Sequence, residues 1–268
     1  MKKKRGASRP KIRKRDAGLR EDVLKAIKRV WPDNLVEMTF DSEESYFWDI
    51  HPRLTRALER IKGADLLLER EAKGEPIWHE GVDRDEDPPA DFTTSRSYHL
   101  FFVSPKGEAF MFETETEEMD EEAMAEGIGE PGWKDPPMKK IPGEGRTGWS
   151  VAVSLPAPFA VVSLGDMLTF EDGSTWEPGI ESCAQTEDGE PITDSEAHFR
   201  KFHGEPAFEI LQKLRSEIVD ILERHGLTVL QEDEWRKPVP WLRGGEEVFA
   251  GASGEPIRVL DAFFFEAL

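Results

Sequence analysis

Trp149-Ser150-Val151-Ala152-Val153-Ser154-Leu155 is the stretch whose reading settles the fold class, together with Phe159-Ala160-Val161-Val162-Ser163-Leu164 just after it. Trp149, Val151, Val153 and Leu155 alternate with Ser150, Ala152 and Ser154. A period of two predicts a half-buried β-strand. Residues 159–164 and 167–170 read as two more strands, closed by a turn at Asp172-Gly173. Upstream, Tyr98, Leu100, Phe101, Phe102 and Val103 mark a strand over 97–104. Pro105-Lys106-Gly107 turns the chain and 109–112 returns, which predicts a hairpin. Between the two strand groups, residues 127–148 hold six Gly and four Pro in 22 residues, the composition of a long loop.

Helical periodicity brackets this strand-rich middle. Leu19, Val23, Ile27 and Val30 recur at three- and four-residue steps with Pro32 just beyond, predicting a helix over 19–30. A second helix is expected from Pro52, a first-turn residue, with Leu54, Leu58, Ile61 and Leu68 on one side. The strongest pattern covers 206–225, where Phe208, Leu211, Leu214, Ile218 and Ile221 or Leu222 share a face. Arg224 and His225 suit the negative end of its dipole, and Gly226 suits a left-handed cap. Residues 227–230 read as a short strand, and Phe263-Phe264-Phe265 as a buried terminal cluster. Helices at both ends with consecutive strands between them predict an α+β fold. It is mainly an antiparallel sheet, packed by N-terminal helices and a long helix in the C-terminal half. The expected organisation is a disordered basic tail over 1–16 and one acidic domain over 17–268, with a helical subregion over 17–73.

Charge is divided just as sharply. Lys2, Lys3, Lys4, Arg5, Arg9, Lys11, Arg13, Lys14 and Arg15 supply nine cations and no acid, while the whole chain carries −20, hence −29 from Asp16 onward. So cationic and apolar-poor a segment cannot offset its ordering entropy and is expected to be disordered. It is a candidate for phosphate-backbone binding through counterion release, or for a nuclear-import signal. The complementary feature is an acidic run over 113–130, with nine acids and no base. Glu113, Glu115, Glu117, Glu118, Asp120, Glu121 and Glu122 are the candidate contacts for a basic protein partner, since complementary potentials speed association.

No reaction is announced by a motif. Gly127-Ile128-Gly129-Glu130-Pro131-Gly132 matches G-x-G-x-x-G, but an acidic segment precedes it where a strand is required. Asp83, Asp85 and Asp87 open like a calcium loop, yet Pro88 and Thr94 stand where Gly and Glu are needed. His198 and His203 are five apart, about 140° around a helix, so they do not form an i, i+4 ligand pair. His51 belongs to a helix start, His99 is isolated, and neither has zinc spacing with the single Cys183. That cysteine has no internal partner for a disulfide. Neither a nucleophile elbow nor a Walker loop occurs.

Five Gly-Glu-Pro triplets begin at Gly74, Gly129, Gly189, Gly204 and Gly254, without a constant period, and read as turns and element starts. With no apolar run near the roughly 20 residues of a membrane span and no apolar stretch after the charged start, a cytoplasmic protein is expected, or a nuclear one in a eukaryote. No cofactor, catalytic set, metal ligand set or membrane contact is expected. The function expected first is a non-enzymatic acidic interaction protein, of the inhibitor or immunity kind. The alternatives are a nucleic-acid accessory protein acting through the tail, and an enzyme whose site is assembled from distant residues.

Overall fold

A computed structural model describes residues 18–36, 45–70, 96–119, 138–181, 195–245 and 256–265. The basic tail lies outside these residues. In chain order the elements are α1 (Glu21–Val30), β1 (Leu35–Val36), α2 (Phe47–Glu59), β2 (Ala64–Arg70), β3 (Tyr98–Pro105), β4 (Met111–Met119), β5 (Met138–Ser154), β6 (Phe159–Phe170) and β7 (Thr175–Trp176). Then come α3 (Ser195–His203), α4 (Glu205–Arg224), β8 (Thr228–Val229), α5 (Glu232–Trp235), β9 (Arg243–Gly244) and α6 (Val259–Phe263). The fold is α+β. Its seven-stranded sheet is antiparallel throughout except where β8 runs parallel to β6.

The sheet is covered on both faces. Against one face lie α2, α3 and α4, which bury Leu54, Leu58, Phe199, Leu211 and Ile218 against Phe101, Val103, Trp149, Val151 and Val153. Against the other lie α1 and the C-terminal segment, which bury Ile27, Trp31 and Phe263–Phe265 against Tyr98, Leu100, Ala152 and Val161. Trp149 to Leu155 is therefore buried on both sides, not half-buried. Ser150 and Ser154, the polar half of the alternation, sit under the second cover. The C-terminal segment is fastened to the head of β3, where Ser97 N–H donates to Phe265 O and Phe265 N–H donates to Ser97 Oγ.

The long helix α4 has the expected face, with Phe208, Leu211, Leu214, Ile218, Ile221 and Leu222 buried. It ends as read from the sequence, with Gly226 at φ 82°. Of the Gly-Glu-Pro triplets, Gly204-Glu205-Pro206 is described, and it starts this helix.

Four expectations are corrected. Helix α2 begins at Phe47, so Pro52 lies inside it, and it ends at Glu59. Leu68 belongs to β2, because after the helix has ended the chain turns at Gly63, φ 80°, and the following residues pair with β3. Within the expected helical subregion over 17–73, residues 64–70 are thus strand.

Residues 97–112 form no hairpin. After β3 the chain makes a short 3₁₀ turn at Glu108–Phe110 and resumes as β4, and both strands pair with the same side of β5. The supposed loop over 127–148 is strand from Met138 onward, and 127–137 lies outside the described residues. Its glycines make room for rings. A Cβ on Gly145 would stand 2.1 Å from Phe112 Cζ, and one on Gly148 would stand 2.5 Å from Val103 O. Pro142 pairs with Glu115 on β4 and sits one residue outside the β6 register, where its carbonyl accepts from Glu171 N–H at 3.0 Å. Finally, 159–170 is one strand, not two, because Gly165 and Asp166 stay in register with Gly148 and Thr147.

Candidate metal centre

Three side chains that are far apart in sequence meet where α2 crosses β2 and β3. His51 comes from α2, Glu69 from β2 and His99 from β3, and their ligand atoms all lie within 4.8 Å of one another. One carboxylate oxygen is the focus. Glu69 Oε1 lies 2.5 Å from His51 Nε2 and 3.5 Å from His99 Nε2, and accepts a 3.0 Å hydrogen bond from Thr55 Oγ1. His51 and Thr55 are one helical turn apart, so both reach the same oxygen from one face of α2.

Strand register explains the convergence. Leu66 pairs with Val103 and Leu68 with Phe102, so the register shifts between them. This β-bulge reverses the facing of the residues beyond it. Leu66 packs against the α2 and α4 core while Leu68 packs against the opposite one, and Glu69, opposite Phe101, is turned back toward α2. His99 is two residues from Phe101 on β3 and so shares its face.

His99 is the unusual member. Its side chain is 0% exposed, and neither Nδ1 nor Nε2 has a hydrogen-bond partner. The large majority of buried side-chain polar atoms are bonded, so each exception calls for a reason, such as an ion. The rings of Phe47, Phe101 and His51 surround it, with centroids at 4.9, 4.6 and 4.8 Å. Burial, reinforced by the neighbouring His51, pushes the pKa of His99 down to about 3. The ring is therefore neutral at physiological pH and keeps a lone pair, the form in which imidazole binds metals.

Two imidazoles and a carboxylate suit a first-row divalent ion such as zinc, and not calcium or magnesium, which prefer all-oxygen shells. Zinc holds such donors at ~2.0–2.2 Å, placing them ~3.3 Å apart in a tetrahedron. His99 Nε2 and Glu69 Oε1 already have about that spacing; the His51–Glu69 contact has to open by about 0.8 Å. Thr55 would then orient the carboxylate from behind.

The sites named from the sequence fall elsewhere. Glu113, Glu115, Glu117 and Glu118 lie on β4, with Lys140 and Lys139 opposite Glu117 and Glu118. Glu115 pairs with Lys140. Asp120, Glu121 and Glu122 lie outside the described residues, as do Lys2, Lys3, Lys4, Arg5, Arg9, Lys11, Arg13, Lys14, Arg15, Cys183 and the Asp83–Asp85–Asp87 loop. His198 and His203 both belong to α3, where His203 stacks on Phe199. Among the described residues no helix is long and apolar enough to cross a membrane. Compared with known proteins, the chain matches no family model, no curated sequence and no solved structure.

Proposed function

We propose that this protein binds a divalent first-row transition-metal ion, zinc foremost, through His51, Glu69 and His99. The observation that carries the reading is His99, a fully buried imidazole with two unpartnered nitrogens, set beside a second imidazole and a carboxylate. Three protein donors leave a coordination position for water, which distinguishes catalytic zinc from the four-ligand structural kind. Glu69 stands at the surface, so that position is reached from solvent. The chemistry such an ion supplies is Lewis-acid activation of water or of a carbonyl.

The test is a calorimetric titration of metal-stripped protein with Zn²⁺, with Co²⁺ as an optical probe of the ligand set. One ion per chain is expected, lost in His99→Leu and His51→Ala and weakened by about 10–100-fold in Thr55→Val. A wild-type protein that takes up no ion, or uptake unchanged in all three variants, overturns the proposal.

A second reading keeps the acidic interaction surface. What favours it is that Glu113, Glu115 and Glu117 all stand exposed on one face of β4, a strand with a single strand neighbour among the described residues. A basic protein partner is the occupant such a surface suits. Nucleic-acid binding through the tail stays a separate proposal, resting on its nine cations alone.

A further inference from the structure

A cleft of about 610 Å³ lies at the outer edge of β6 and shares no residue with the His51, Glu69 and His99 cluster. Small-ligand sites run from ~300 to 1,000 Å³. Strand pairing creates the space. β6 is paired to β8 at Phe159 and Ala160 and to β7 at Leu168 and Thr169. Between those points Val162, Ser163 and Leu164 line the cleft; they pair with β5 on one side, and on the other no strand lies beside them among the described residues. Helices α3, α4 and α5 contribute the other walls, with Glu196 from α3 and Gln212 and Arg215 from α4.

The charges in this cleft are unbalanced in opposite senses at two places. Glu181 is paired with Arg258 at 2.8 Å and Glu232 with Arg236 at 2.9 Å. That leaves Arg215 and Glu196. The Arg215 guanidinium lies 5.7 Å from the Trp149 ring centroid, and its Nε is buried without a hydrogen-bond partner. No carboxylate among the described residues is within ion-pair distance of it. Trp149 does not yield, since its Nε1–H donates to Leu211 O at 2.9 Å, one turn back along the same helix. Glu196 accepts a 3.0 Å hydrogen bond from the neutral amide of Gln212 and, among the described residues, meets no cation.

Gln212 and Arg215 are three residues apart on α4, so their Cβ atoms lie ~5–6 Å apart on one face. The unanswered anion and the unanswered cation are thus about one helical turn from each other in a shared cleft. A ligand with a carboxylate at one end and an ammonium at the other completes both, with a charge-assisted hydrogen bond at each. A multiply charged phosphate does not suit the site, because Glu181, Glu196 and Glu232 all line it. We infer that the cleft binds a small zwitterion of the α-amino-acid class, its carboxylate on Arg215 and its ammonium on Glu196.

The test is to titrate the protein with each of the common L-amino acids, following tryptophan fluorescence, since Trp149 and Trp235 both line the cleft. Acetate and ethylammonium serve as half-ligands. At least one amino acid is expected to bind with a Kd of about 1 mM or below, and each half-ligand about tenfold or more weakly. Arg215→Gln should abolish binding and Arg215→Lys restore part of it, because a point charge replaces the guanidinium fork. Glu196→Gln should remove the preference for the zwitterion over acetate. Far-UV circular dichroism and zinc uptake report folding of each variant separately from this cleft. The inference is overturned if no amino acid binds, if Arg215→Gln binds as the wild type does, or if acetate binds as tightly as the best amino acid.

Discussion

Replacing His99 by leucine should make the metal-free protein more stable. The side chain is fully buried, and leucine is apolar and of similar size. Leaving a buried polar group unsatisfied costs ~1–3 kcal/mol, so the substitution should raise the unfolding free energy by about that amount in chelator at pH 8. Acid should widen the gap. His99 is held at about 3 in the folded chain, whereas an unfolded histidine titrates near ~6.5. Between those values the unfolded state takes up a proton that the folded state refuses, so wild-type stability falls as pH drops through the window. The loss is about 2 kcal/mol by pH 5. The leucine variant lacks this slope, and the residues facing the site, His51 and Glu69, are common to both proteins.

At pH 8 zinc should reverse the order. At about 1,000 times its Kd an ion contributes ~4.1 kcal/mol to the wild type and nothing to a variant that cannot hold it. Urea unfolding in chelator and in zinc, at pH 8 and pH 5, measures all four states. A variant less stable than the wild type in chelator at both pH values would refute the reasoning, because it would mean that His99 has a partner in the metal-free chain.

Ile218→Ala should cost ~2–5 kcal/mol, because Ile218 is 0% exposed, while exposed Glu217→Ala on the same helix should be near neutral; denaturant midpoints decide. Gly148→Ala should cost ~1–3 kcal/mol, since its new methyl would press on the Val103 carbonyl, and thermal unfolding would show it. Replacing Glu113, Glu115, Glu117 and Glu118 by Gln should slow association with a basic partner, the effect fading with salt while dissociation changes less; stopped-flow rates unaffected by the replacement would end the acidic-surface reading. Deleting 1–16 should leave the urea midpoint unchanged and abolish retention on DNA.

Periodicity was informative where one element buries one face. The stripe from Phe208 to Leu222, the cap at Gly226 and the phenylalanine triplet at 263–265 all come from local pattern. It failed where a neighbour sets the conformation. Gly143, Gly145 and Gly148 look like loop residues until the rings of Phe170, Phe112 and Phe102 are seen lying against them. The metal centre was partly within reach, because His99 stands in phase with Phe101 and Val103 in an apolar strand, which already placed a histidine on a buried face. Glu69 was not, because its direction depends on the bulge between Leu66 and Leu68, and no composition signals that shift. His51 lies 48 positions from His99, a spacing that no short motif spans.

The shared pairing of β3 and β4 along one side of β5 divides a single strand between two regimes of motion. From Trp149 to Ser154 the strand is clamped between two cores and held by β3 and β6. From Met138 to Pro142 it runs beyond both cores, largely solvent-exposed, paired in the ladder with β4 alone before β6 joins at Gly143. Amide exchange should therefore grade along its length, with opening at the ribbon end needing only a local fluctuation and release at Val151 needing global unfolding. A force or partner acting on the acidic arm would peel β4 away without disturbing the register at His99, so the arm and the metal centre are mechanically insulated from each other.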